Sequence, residues 1–251
     1  MKWKMLASFA AAAAVFGASA AAVTELPEKG DWKNDEALTA KPNDVLEYTG
    51  KEIHATEKIK IDPEKITKVS CDFRTLEPDV KATLLIGFYV WDKNNRIITP
   101  RNIQVEADTN TELLTPCQKS DARVKVKDGA NIKPGMVMAF NVADDKSDLP
   151  NFNVSSGTVK AVEKEADGFL VTFNSVINQE FPAGAKVRMH SSWGGYLYIV
   201  AAAPSGEFKT YSGTFQGKQW WPGTATVEPV ILLTKKCKSE FKNFKIEVLD
   251  K

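Results

Sequence analysis

Cysteine and histidine are scarce. The 251-residue chain holds three Cys and two His, so a zinc or iron cluster has almost no ligands to draw on. The wide spacing of Cys71, Cys117 and Cys237 excludes a CxxC knuckle. An excess of one charge is also missing: 33 Lys and Arg face 32 Asp and Glu, so no overall positive field exists to hold a phosphate backbone, and nucleic acid is excluded as a partner. No repeat of 20 to 50 residues is visible, and 15 Gly and 12 Pro are ordinary usage, which excludes solenoids and collagen-like fibres. Beyond the N-terminus there is no run of 18 apolar residues and no window with apolar positions at i, i+3, i+4 and i+7. Neither a membrane-spanning helix nor a helical domain is therefore expected.

What is present begins with an address. Residues 1–22 combine a basic head (Lys2, Lys4), an apolar run from Met5 through Phe16 and the small residues Gly17-Ala18-Ser19-Ala20-Ala21-Ala22. This pattern predicts a bacterial-type signal peptide cleaved after Ala20 or Ala22, and a mature protein that is secreted or periplasmic. Losing Lys2 and Lys4 takes the formal net charge from +1 to −1. In an exported chain, three Cys allow at most one internal bridge. Cys71 alternates with Val69 and Phe73 and reads as a small buried hydrophobe, which leaves Cys117 and Cys237, both near loops, as the pair for a bridge.

With 43% hydrophobic residues the chain can build a core, and its apolar residues recur with period two. Ile59 and Ile61, Val124 and Val126, and Phe244, Ile246 and Val248 each alternate with charged neighbours, as strands with one wet face do. Residues 84–91 and, apart from Glu228 and Pro229, 227–233 are apolar on both faces and should lie centrally. Turn residues such as Asp92-Lys93-Asn94-Asn95 and Asp167-Gly168 separate the strands. The expected class is an all-β sandwich. About 230 residues exceed what one sandwich needs. Residues 113–190 have their own rhythm and read as an inserted small β unit, so 23–112 and 191–251 together form a discontinuous sandwich.

Four segments carry a resemblance: Glu52-Ile53 through Ser70, Gly87-Phe-Tyr-Val-Trp91-Asp92, Trp221-Pro222-Gly223-Thr224, and Asn243-Phe-Lys-Ile-Glu-Val248. Together they resemble the galactose-binding-like jelly-roll sandwiches that serve as carbohydrate-binding modules. The resemblance implies a jelly roll and a sugar-binding role. That family often holds a structural calcium, but its loop ligands find no residue-by-residue match here, so no cofactor or metal is expected.

Sugars present C–H faces fringed by hydroxyls and are recognised by flat aromatic rings with polar groups at their edges. Trp193-Gly-Gly-Tyr196-Leu-Tyr198 and Trp220 are placed by nearby glycines at strand ends and are the candidate ring surfaces, while Trp91 and Trp221 read as packing residues. Asp72 and Arg74 on one strand, and Asp92 after Trp91, are candidates for the polar fringe. The run Asp144-Asp145-Lys146-Ser147-Asp148 fits no calcium-loop template and reads as a solvated turn. Catalytic signals are absent: His190 precedes Ser191-Ser192 without a nucleophile elbow or phosphate loop, and His54 stands alone. The expectation is an exported, non-catalytic carbohydrate-binding protein whose partner is a free or cell-envelope glycan. The alternatives are a structural or protein-binding envelope component and a glycoside hydrolase, which needs only two carboxylates about 5–10 Å apart.

Overall fold

A computed structural model describes residues 20–33 and 35–250. Most of the predicted leader, residues 1–19, lies outside the described residues; Ala20 to Ala22 already belong to the first strand. The chain is almost all β, with 49% strand and 5% helix, built as antiparallel sheets with no closed barrel. Among the described residues, no helix is long and apolar enough to cross a membrane.

The first seven strands are β1 (Ala20–Glu25), β2 (Leu38–Lys41), β3 (Val45–His54), β4 (Ile59–Lys60), β5 (Ile66–Thr75), β6 (Leu84–Trp91) and β7 (Ile97–Ile98), followed by one short helix, α1 (Pro100–Ile103). Six more are β8 (Thr111–Glu112), β9 (Arg123–Val126), β10 (Val137–Phe140), β11 (Val159–Glu165), β12 (Gly168–Phe173) and β13 (Lys186–His190). They form two three-stranded sheets, β10-β13-β8 and β11-β12-β9. The last three, β14 (Leu197–Ala202), β15 (Lys209–Phe215) and β16 (Thr226–Leu249), return to the first sheet.

β16 is the spine. On one side its first part pairs with β6, from Thr226 opposite Trp91 to Leu233 opposite Leu84, and its last part pairs with β5. On the other side it meets β4, β3 and β1 in turn. A straight strand of 24 residues would be about 80 Å long, far longer than a small domain. The strand bends instead, with register breaks between Leu232 and Cys237 and between Lys242 and Lys245, where Asn243 has φ 51°.

Alternation fixes what each strand buries. In β5, Val69, Cys71 and Phe73 point inward, and in β6, Leu84, Ile86, Phe88 and Val90 do. These join Trp32, Phe215, Ile231, Phe241 and Phe244 in one apolar cluster. A second cluster draws only on residues between Leu113 and Met189, including Val126, Phe140, Val171, Phe173 and Val187. The region between the clusters is polar and tightly bonded. The Arg101 guanidinium donates to the carbonyls of Ser155 and Ser156, the Asn102 amide donates to Asn151 O, and the Arg96 guanidinium lies 3.8 Å from the Phe152 ring centroid.

The three cysteines are free and buried, so the one bridge that the sequence allowed, for which Cys117 and Cys237 were the candidate pair, does not form. Topology is the reason, since Cys117 sits in the second cluster and Cys237 in the first. Burial raises the Cys117 thiol to about 11 and also raises those of Cys71 and Cys237, so all three behave as small hydrophobes.

Candidate functional site

The outer face of the β3–β16–β6 sheet collects rings and carboxylates that lie far apart in sequence. Ile53 of β3 is buried, so its neighbours Glu52 and His54 face outward; Phe88 and Val90 of β6 are buried, so Tyr89 faces outward. Register places Glu228 of β16 directly opposite Tyr89.

His54 is the centre of this group. Its Nε2 lies 2.9 Å from Glu52 Oε1 and its Nδ1 lies 3.0 Å from Glu228 Oε1. The Tyr89 hydroxyl donates to the same Glu52 oxygen at 2.9 Å, and Lys33 Nζ sits 2.7 Å from Glu228 Oε1. The imidazole stacks on Tyr89 with centroids 5.0 Å apart and planes 18° apart, and Tyr196 meets Tyr89 edge-on at 5.7 Å. Burial raises the Tyr89 phenol, and its hydrogen bond to the Glu52 carboxylate adds to the rise. Tyr196 is raised by burial and then by the Glu52 charge.

The rings continue outward along the chain that returns from β13. Tyr198, 53% exposed, lies opposite Gly87. A Cβ on Gly87 would stand 2.2 Å from Leu197 O and 2.5 Å from Tyr198 Cα, so only glycine lets β14 approach this closely. Trp193, 79% exposed, stands on the preceding loop, which is held by a bond from Ser192 Oγ to Gly135 O. The result is an open platform of Tyr198, Tyr196, Tyr89 and His54 edged by Glu52 and Glu228, with the exposed Trp193 on the loop that leads into it, three residues before Tyr196. The two carboxylates reach different nitrogens of one ring instead of converging on a point, and no group of three metal-ligating side chains occurs among the described residues.

Of the residues proposed from sequence, Tyr196 stands on this platform and Trp193 is exposed on the loop that leads into it; the other four candidates lie elsewhere. Trp220 is only 4% exposed and packs against Phe215 at 4.7 Å and Phe88 at 5.7 Å, so it is a core residue, not a ring surface. A 3-10 turn over Gly217–Gln219, opened by Gly217 at φ 52°, swings Trp220 inward and leaves Trp221 half-buried beside a groove of about 540 Å³. Trp221 nevertheless packs against the first apolar cluster, as the sequence led us to expect. Trp91 is half-buried on the outer face of β6, with Lys58 Nζ 3.1 Å from its ring centroid.

Asp72 accepts from Thr210 Oγ1 at 2.5 Å and Asn243 Nδ2 at 2.7 Å, tying β5 to its neighbours on both sides. Arg74 pairs with Glu240 at 2.5 Å and lies over Phe208. These partners belong to β16's later half and to the β14–β15 region, and none is shared with Trp193 or Tyr196. Asp92 is buried: burial pushes its carboxyl up, but hydrogen bonds from Arg96 and Asn94 outweigh this and hold it below the usual carboxylate range. It braces the β6–β7 turn.

Sequence reasoning missed Glu52, His54, Tyr89 and Glu228. One signal pointed to them, the charge of Glu228 inside an apolar central strand, because a carboxylate there must face a partner. No family model, curated protein or solved structure matches the chain.

Proposed function

We propose that the chain is an exported, non-catalytic carbohydrate-binding sandwich of the galactose-binding-like jelly-roll kind. The leader-like residues 1–22 support export, and the platform supports the ligand class. One observation carries the reading: phenol rings line an open face whose edge holds carboxylate acceptors, and the loop that leads to them carries an indole 79% exposed. Rings stack on sugar C–H faces, and carboxylates accept sugar hydroxyls. Glu52 and Glu228 are both engaged with one imidazole on an open face, which favours binding over glycoside hydrolysis.

Glycan-array retention by wild type, W193A and Y198A tests this. Each substitution lowers retention about tenfold, roughly 1.4 kcal/mol, with an unchanged melting temperature because neither ring is in the core. Unchanged retention overturns the site. The openness of the face also favours a second reading, a protein-binding component of the cell envelope. On that reading the same variants lose an envelope protein partner, and no glycan is retained by any form.

A further inference from the structure

We infer that His54 gates Glu52 as the ligand-facing acceptor of the platform, so that glycan binding strengthens when the imidazole loses its Nε2 hydrogen. The inference rests on the carbohydrate reading and specifies which group meets the sugar, and when.

A carboxylate only accepts hydrogen bonds. With carboxylate oxygens 2.9 Å from Nε2 and 3.0 Å from Nδ1, His54 satisfies both contacts only when both nitrogens carry hydrogen, as in the imidazolium. A neutral ring has one N–H, and its bare nitrogen then faces a carboxylate lone pair at hydrogen-bond distance.

The surroundings decide which contact fails. The Glu228 side chain is 8% exposed and cannot turn to water; it also holds Lys33, so the Nδ1–H stays with it. Glu52 is 31% exposed and can be solvated if it rotates away. Its remaining partner is the Tyr89 hydroxyl, on a ring that stacks with His54. The charged and titratable groups facing His54 are thus Glu52 on its own strand, Glu228 on β16, Tyr89 on β6 and Lys33 after the first turn, with Tyr196 behind Tyr89. Losing the Nε2 hydrogen frees a carboxylate beside Tyr196, the ring through which the platform continues to its exposed edge. In the protonated state its Oε1 is shared between the imidazole and the Tyr89 hydroxyl, which holds the carboxylate in place instead of leaving it to turn toward a ligand.

The test follows the His54 imidazole nitrogens and the Glu52 carboxyl carbon by NMR across a pH series; His190 is the only other histidine, which simplifies assignment. Retention of whichever glycan wild type binds on an array is then measured on both sides of the His54 titration for wild type, H54Q and E52Q. The expected result is a severalfold rise in wild-type affinity as His54 deprotonates, no pH response in H54Q, and weak, pH-independent binding in E52Q. If H54Q does not fold, E52Q carries the comparison, since it exchanges a partly exposed carboxylate for a carboxamide whose oxygen still accepts from Tyr89. A Glu52 signal that stays fixed while His54 titrates overturns the release itself, whatever binds. Glycan binding that ignores the His54 titration, or E52Q with a full pH response, overturns the gating but leaves the carbohydrate reading intact. No glycan retained at any pH overturns that reading and the gating with it.

Discussion

Trp220 and Trp221 are adjacent and chemically identical, yet one is sealed against Phe88 and Phe215 and the other is only half-buried at the edge of the same cluster. Replacing Trp220 with Ala removes a buried bicyclic ring and should cost about 3–5 kcal/mol of stability. W221A should cost less, about 1–2 kcal/mol, because its ring only edges the apolar cluster and part of it stays wet. Urea unfolding of the two variants checks this, and equal losses would contradict the assignment. The pair also shows what a sequence can convey. Alternation says that neighbouring rings face opposite ways, but which one faces inward depends on a three-residue turn before them, and the turn is set by contacts with distant strands. The same limit applied to His54, whose partners lie 2 and 174 positions away. Trp193 was legible because two glycines beside an aromatic cluster leave little around it to cover a ring.

At the level of strands, period two placed the inward face of β5 correctly, with Val69, Cys71 and Phe73 buried, whereas β6, apolar on both faces in sequence, is sealed on one face only and leaves Tyr89 and Trp91 half-buried on the other. The two-residue strands β7 and β8 carry no such repeat, and β16 runs on through Lys235-Lys236, which fall within its register break against β3. Gly87 is the element-scale weak point. In G87A the new methyl would press on the backbone of Leu197 and Tyr198, forcing β14 away from β6. We expect a loss of about 1–3 kcal/mol, the usual range for overpacking, together with loss of glycan retention, since Tyr196 and Tyr198 are carried by the displaced segment. Thermal melts and array retention measured on one preparation check both effects; a variant that melts and binds like wild type would show that β14 is not held by this contact.

Across the whole molecule, the two apolar clusters meet through a buried polar chain. Arg188, 1% exposed, donates from Nε to His190 Nε2 at 2.9 Å, pairs with Asp148 at 2.7 Å and donates to Ala143 O. His190 in turn faces Arg101 O through Nδ1 at 2.8 Å, so its ring is neutral with hydrogen on Nδ1. Burial, reinforced by the nearby guanidinium, lowers His190 to about 4. The unfolded value is near 6.5, so protons favour the unfolded chain: this contribution is complete above pH 6.5 and is lost as pH falls toward 4. Integrated over that window it amounts to roughly 3 kcal/mol. Urea midpoints should therefore fall steadily between pH 6.5 and 4.5, and a constant midpoint there would contradict a neutral buried ring. In the sequence, His190 stood out only for its serine neighbours and Asp148 only as part of an acidic run; neither pattern reports a guanidinium arriving from β13 to join them.

The continuous spine has a consequence for how the sandwich comes apart. Because β16 passes from partners β6 and β3 to partners β5 and β1 within one unbroken segment, neither layer owns a complete set of strands. Pulling one layer loose withdraws the middle of the other, so the two cannot open like the covers of a book. They must rupture together or hold together, and the ring platform, whose sheet has that shared segment as its central strand, is lost in the same event.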